Sequence, residues 1–372
     1  MKRILHIVPS LELGGTEAFI MNHYRGLNRQ EIQFDFLVCS KKDWPYLNEI
    51  DRLGGRVFYT ARPSILCFSA FLRGMKQAIR EGGPYAAIHC HADADNGVPI
   101  LCGLLCGVKK RIAHLHAMEE VPERLSRKWF HYVKKWLIKA FATDLWACSE
   151  AAGVSFVGER FFREKGKVIR NGISLDRFLN VDENAVSTLK AEFRIPENSL
   201  VLGNITRFDE NKNQLFLVDV FQNLLERHPN ALLLLGGTDG GSLRQVQDYV
   251  AEKGLREKVR FIGRRSDVPA CLRLVDAYVF PSVFEGLGIA LLEAQAAGCL
   301  CLASTGVPED TDMGLGTAFY LDLAEGGATW AAFLSAKLAE RQNPSQQEIR
   351  TAFGINHFDI NESCKELVEY YG

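Results

Sequence analysis

The chain has 372 residues, 24% of them charged, and a formal net charge of -1. So even a balance gives no field to draw in nucleic acid, and so long a chain exceeds what one core ordinarily serves, so two domains of ordinary size are expected. Its ten cysteines show no CxxC spacing, which fits small core residues and a reducing compartment.

Apolar runs at 4–8, 34–38, 87–91, 111–116 and 145–148 are separated by longer patterns of helical period. The same alternation resumes at 200–205, 231–236, 259–262, 277–280 and 300–303. Strands alternating with helices twice over predict an α/β chain of two Rossmann-like domains, each on a doubly wound parallel sheet. The junction falls near 171–184, where Asn171-Gly172 marks a turn and a new helical pattern begins around Ala185. The domains are set at 1–175 and 176–345, with 346–372 as a terminal segment carrying no new strand. After Lys2 and Arg3 the first apolar run is too short for a signal-peptide core, and polar residues interrupt every later candidate span, so a cytoplasmic protein is expected.

Gly14 and Gly15 follow the first strand and precede a helical run from Glu17, so their N–H groups can face an anion; a flexible turn explains them equally well. His89 and His91, like His114 and His116, stand at alternate positions near strand ends, and each pair shares one face. Such pairs suit a metal, a hydrogen-bonded structural role or the orientation of a substrate. The stretch 124–139 holds Arg124, Arg127, Lys128, Lys134, Lys135 and Lys139 and no acidic residue, with Leu125, Trp129, Val133, Trp136 and Ala140 at helical spacing. This is a basic amphipathic helix, whose apolar face either packs within the first domain or lies on anionic lipid.

Arg207 and Lys212 follow the first strand of the second half, where a guanidinium fork and a mobile ammonium can grip phosphate oxygens; the alternative is a solvated turn. The segment 280–301, FPSVFEGLGIALLEAQAAGCLC, runs from a strand through a loop carrying Glu285 into a helix carrying Glu293. Free N–H groups at such a helix start favour an anion, and Gly286 and Gly288 let it approach closely. Carboxylates beside that site would repel phosphate and match hydroxyls instead. Phosphate plus hydroxyls suggests a sugar nucleotide, although Glu285 as a cap and Glu293 as a surface residue would also account for the spacing.

Glu285 to Glu293, with EGLG and EAQAAG around them, resembles the E-x7-E signature of retaining glycosyltransferases of family four. GNITRFDENKN (203–213) is similar to the donor-diphosphate motif of that family, and VIRNGISLDRF (168–178) to its V-I-x-N-G-I-D linker. VRFIGRRSDVPACLRLVDAYVFPS (259–282) resembles the stretch before the acidic motif, and LELGGTEAF (11–19) the N-terminal glycine loop. These segments occur in the family's order, and RIAHLHA, ACSEAA and VGERFF look most like bacterial members that build exopolysaccharide or capsule.

The resemblance implies the GT-B architecture, two Rossmann-like domains facing across a cleft with the terminal helix crossing back to the first. It implies retaining transfer of a hexosyl unit from a UDP-sugar or GDP-sugar to a hydroxyl on a glycan or lipid-linked acceptor. Because the resembled fold does not use an Asp-x-Asp motif, neither a metal nor another cofactor is expected. By resemblance, Arg207 and Lys212 bind the donor diphosphate, Glu285 lies near the donor sugar and Glu293 on the ribose. Gly14, Gly15, Gly286, Leu287 and Gly288 would offer N–H groups to the donor, Arg264 would frame the nucleotide, and His116 would polarise or orient the substrate. Peripheral membrane contact would run through 124–139, with no nucleic acid as partner. Ser174 stands where the linker usually has Asp, Thr238 to Gly241 replace a more glycine-rich turn, and VPEDTDMG (307–314) is unusually acidic, which bears on donor choice more than reaction class. A GT-B epimerase or phosphorylase and a non-catalytic nucleotide-sugar-binding partner are the alternatives. A nicotinamide oxidoreductase is set aside because no G-x-G-x-x-G follows the first strand.

Overall fold

Continuous apolar runs make parallel strands when helices cover both faces of a sheet. In this computed structural model the run Ile32–Val38 is buried at every position. The structure describes all residues except 13, 120, 123 and 342, together with the side chains of 125 and 126. Position 13 of the glycine-loop motif and the Leu125 side chain of the expected apolar face therefore lie outside the described residues.

The chain divides into two compact units, Met1–Gly172 with Ile360–Gly372, and Ile173–Asp359. The first is built on β1 (Lys2–Val8), β2 (Ile32–Val38), β3 (Val57–Tyr59), β4 (Ala87–Cys90), β5 (Lys110–Leu115), β6 (Asp144–Ala147) and β7 (Gly166–Val168). They form a seven-stranded parallel sheet in the order β3-β2-β1-β4-β5-β6-β7. The second contains β8 (Val201–Ile205), β9 (Leu232–Gly236), β10 (Val259–Gly263), β11 (Ala277–Phe280), β12 (Leu300–Ser304) and β13 (Ala318–Leu321). Its six parallel strands run β10-β9-β8-β11-β12-β13. In both sheets the order reverses beside the first strand of the unit, which leaves a crevice beyond the carboxyl ends of the strands, where open α/β sheets bind ligands.

The strands expected from apolar runs are all present with ends shifted by a residue or two. Missing from the sequence reading are β3, β7 and β13, each an edge strand of three or four residues with mostly half-buried side chains. The terminal segment also differs. The Gln346–Ile355 helix stays with the second unit, where Arg350 Nη2 meets Asp176 at 2.6 Å and Gln346 Nε2 donates to the Leu179 carbonyl at 3.0 Å. Only from Ile360 does the chain belong to the first unit, so the boundary set at 346 moves to 360. There the Ile360–Tyr371 helix packs on the Gly15–Gly26 helix, with Ile360, Leu367 and Tyr371 joining Phe34, Phe36 and Trp146 in one core. Burying a side chain of that size contributes about 2 kcal/mol, so the terminal helix is held by packing. Every cysteine is free. Among the described residues no helix is long and apolar enough to cross a membrane.

Candidate active site

In the second unit two loops beyond the strand ends are stitched together. The loop after β8 carries Arg207 and Lys212; that after β11 carries Glu285. Asn211 joins them at three points: its carbonyl accepts from Val283 N–H at 2.8 Å, its Nδ2 donates to the Phe284 carbonyl at 2.8 Å, and its Oδ1 accepts from Phe284 N–H at 3.2 Å. Lys212 Nζ is ion-paired with Glu285 Oε1, both side chains being largely buried, and lies 5.3 Å from the centre of the Phe280 ring. Asp209 shapes the same loop, accepting from Lys212 N–H at 3.1 Å and pairing with Arg207 Nε at 2.8 Å. The Arg207 side chain is 65% exposed, so its outer guanidinium nitrogens face solvent while its Nε is anchored.

The acidic loop is set by close backbone approach. Glu285 N–H donates to the Gly306 carbonyl at 2.9 Å, and a Cβ on Gly306 would stand 2.0 Å from the Val283 carbonyl oxygen. Gly288, with φ +87°, caps the Ile289–Ala296 helix in the left-handed conformation that favours glycine. Gly286, Leu287 and Gly288 thus connect Glu285 to the helix, with Leu287 4% exposed and serving as a core anchor. Glu293 lies about one turn into that helix and is half-buried. Burial raises its carboxyl to about 7, against a smaller opposing pull from Arg177 on the neighbouring Leu175–Leu179 helix. Arg264 is exposed beyond the edge strand β10 and makes no hydrogen bond or ion pair with these groups among the described residues.

The first unit holds the remaining candidates. Gly14 precedes the Gly15–Gly26 helix, and Glu17 crowds it, since a Cβ on Gly14 would lie 2.6 Å from Glu17 Oε2. Glu17 also accepts from Ser10 Oγ at 2.7 Å, and burial raises its carboxyl above the usual range. The Glu17 carboxylate thus stands at the start of its own helix, the end where the dipole favours a negative charge. His116 stands just beyond β5, half-buried, with its backbone N–H on Asp93 Oδ1 at 2.7 Å and its Nε2 2.8 Å from His91 Nδ1. Sequence reasoning missed Asn211, Asp209, Gly306 and Asp93. The first two carried a readable signal, because Asp and Asn clustered after a strand build turns through their side chains; Gly306 and Asp93 act through contacts far apart in sequence.

The family described as glycosyl transferases group 1 matches residues 186–310, and the one described as glycosyltransferase family 4 matches 13–177. EpsF of Bacillus subtilis (strain 168), which bears a glycosyltransferase name, is 34% identical over 378 residues covering 100% of this chain and 96% of EpsF. The chain belongs to the family 4 glycosyltransferases. This glycosyltransferase is also 26% identical to CapH of Staphylococcus aureus, a capsular polysaccharide biosynthesis glycosyltransferase, over 100% of the chain and 99% of CapH. Its fold is GT-B. The structure of HepE from Anabaena in complex with UDP-glucose superposes with a TM-score of 0.80 at 20% identity, covering 100% of both chains. The enzyme is thus a glycosyltransferase homologous to EpsF and to CapH, the latter named for capsular polysaccharide biosynthesis.

Proposed function

We propose that this glycosyltransferase moves a hexosyl unit from a nucleotide diphosphate sugar, a UDP-sugar before a GDP-sugar, to a hydroxyl acceptor with retention at the anomeric carbon. The observation that carries the reading is the loop pair joined by Lys212 and Glu285, which sets cations and a hydroxyl-binding carboxylate side by side at the carboxyl ends of a parallel sheet. Arg207 and Lys212 take the diphosphate, the first as a fork and the second as a point charge. Glu285 accepts from donor-sugar hydroxyls, and Glu293, on the following helix, accepts from the ribose. The N–H groups of Gly286, Leu287 and Gly288 add to the anion field, and Arg264 frames the nucleotide. In the first unit, Gly14 and Gly15 are assigned to donor binding and His116 to polarising or orienting a substrate, as the family resemblance implies.

In the reaction the bond from the anomeric carbon to the diphosphate oxygen breaks and the acceptor oxygen bonds to the same face. The acceptor proton passes to the departing phosphate, and Arg207 and Lys212 stabilise the charge that gathers there. No metal or other cofactor takes part. The UDP-glucose complex of HepE supports the donor class, and a 24%-identical Escherichia coli relative is named for transfer from UDP-Gal to a diphosphoundecaprenol-linked sugar. The test is a panel of UDP- and GDP-sugars with EDTA present, scoring thermal stabilisation and slow donor hydrolysis, with NMR of the released sugar. One donor should stabilise the enzyme and be hydrolysed with its anomeric configuration kept. Binding without turnover would point to a nucleotide-sugar-binding partner, and inversion would overturn the retaining assignment.

A lipid-linked acceptor also fits the helix Leu125–Phe141, whose apolar face the sequence left open to packing or to lipid. His131, Leu137 and Ile138 are buried, whereas Trp129, Tyr132 and Trp136 are 62%, 50% and 60% exposed. Lys134, Lys135 and Lys139 are tied to Asp95, Glu119 and the Val157 carbonyl, leaving Arg124, Arg127 and Lys128 in solvent at the helix start. Aromatic rings beside exposed cations suit the interface of an anionic bilayer. Cosedimentation with anionic vesicles at low salt should fall about tenfold in Trp129→Ala/Trp136→Ala, on the order of 1.4 kcal/mol; equal recovery of both proteins would remove membrane contact from the account.

A further inference from the structure

His116 is one end of a buried line of imidazoles. His91 Nδ1 lies 2.8 Å from His116 Nε2, and His91 Nε2 lies 2.9 Å from His6 Nδ1. His6 Nε2, at the inner end, is buried without a hydrogen-bond partner among the described residues. The strands explain the arrangement. β1 and β4 are paired with His6 opposite His89, His91 N–H donates to the Ile7 carbonyl, and β4 pairs with β5, beyond which His116 stands. Phe19 and His23 cover the same face, with Phe19 against the rings of His91, His114 and His116.

Burial keeps these rings uncharged in the physiological range, pushing His6 and His116 down to about 3 and His91 well below its ordinary value. A neutral imidazole carries one N–H and one lone pair, so each link needs a donor on one ring and an acceptor on the next. The line therefore has only two arrangements, and the tautomer of His116 cannot change unless His91 and His6 change with it. In one, His116 Nε2–H donates inward and the line ends in an N–H on His6 Nε2 with nothing to receive it. In the other, His6 Nδ1–H donates to His91, His91 Nδ1–H donates to His116, and only a lone pair is left over at His6. Among buried backbone groups, orphaned N–H are rarer than under-satisfied acceptors, and the second arrangement follows that preference.

We propose that His6 and His91 are positioning residues that lock His116 as its Nδ1–H tautomer, so that His116 presents a hydrogen-bond donor to a hydroxyl or phosphate oxygen of the substrate. It is then a donor that polarises an oxygen and is not the base that removes the acceptor proton. The role at the substrate rests on the assignment of His116 in the proposed function; the locked tautomer rests on the hydrogen bonds between buried, uncharged rings.

Protein labelled with 15N-histidine, read by long-range 1H–15N correlation with His116 assigned from the His116→Asn spectrum, tests the lock. Wild type should show a protonated Nδ1 and a bare Nε2 on His116, and His91→Phe should shift it toward Nε2–H. A protonated Nε2 in wild type overturns the proposal, as does an unchanged tautomer in folded His91→Phe; the wild-type spectrum decides even if the variant fails to fold. Transfer assays separate the second half. His116→Asn, whose amide N–H stands close to where Nδ1–H stood, should keep activity within about tenfold, and His116→Asp, with only acceptors there, should lose about a hundredfold or more. Wild-type rates in His116→Asp and His116→Ala would refute the substrate role and leave the spectrum to judge the tautomer.

Discussion

Replacing Lys212 with alanine is expected to lower kcat/KM for the sugar nucleotide by about a thousandfold, the scale on which removing one preorganised electrostatic group from a reacting centre acts. Two effects combine. The ammonium no longer meets the charge that grows on the leaving diphosphate, and Glu285 is left without its ion-pair partner in a largely buried setting. An unpaired carboxylate there would further repel the diphosphate. Lys212→Arg should recover little, because a planar fork cannot take the place of a point charge threaded beside Phe280. The decisive comparison is Lys212→Ala/Glu285→Gln. If the lysine matters only as counter-ion to Glu285, neutralising both restores activity; if it acts on the diphosphate, the double variant stays as slow as the single one or slower. Recovery toward wild type would contradict the role given to Lys212.

Nucleotide affinity is expected to rise with pH through neutrality and to lose most of that dependence in Glu293→Gln. Burial places the Glu293 carboxyl at about 7, so part of the population is protonated where most glutamates are ionised. Ribose hydroxyls bind the ionised form better by charge-assisted hydrogen bonds, so nucleotide binding should release a proton below pH 7 and none well above it. The stability consequence has the opposite sign. Between the unfolded value near 4.5 and the folded value near 7 the folded enzyme holds the extra proton, so stability falls as pH rises through that window and levels off above it. The full shift is discounted because Glu293 keeps some exposure, and Glu293→Gln should stabilise the enzyme at pH 8 by on the order of 1–2 kcal/mol while weakening nucleotide binding. Calorimetric titration with UDP in two buffers of different ionisation enthalpy, at pH 6 and pH 8, reads the proton directly. Equal proton release at both pH values would remove the perturbed carboxyl from the binding site.

The acidic motif was legible because its residues are contiguous: a strand, a turn with glycines and a helix follow one another, and local chemistry sets where Glu285 and Glu293 stand. The pairing of Lys212 with Glu285 was not, because it spans two loops brought together by the order of the sheet and sewn by Asn211. The same limit hid the histidine line, in which His6, His91 and His116 come from separate strands or strand ends. On the Leu125–Phe141 helix, period alone revealed an amphipathic pattern without saying which side is covered. The sequence left open whether the face of Trp129 and Trp136 packs or meets lipid; in the structure Leu137 and Ile138 are buried and the two indoles are exposed. Edge strands escaped because three or four half-buried residues carry too little pattern, whereas the buried runs of β1, β2 and β9 announce themselves.

The central claim is that Arg207, Lys212, Glu285 and Glu293 form one donor site, and a crystal structure of the enzyme with UDP tests it most directly. The account predicts the diphosphate against Arg207 and Lys212 and the ribose hydroxyls on Glu293. A nucleotide bound elsewhere, with Lys212 still paired only to Glu285 and Glu293 untouched, would contradict it.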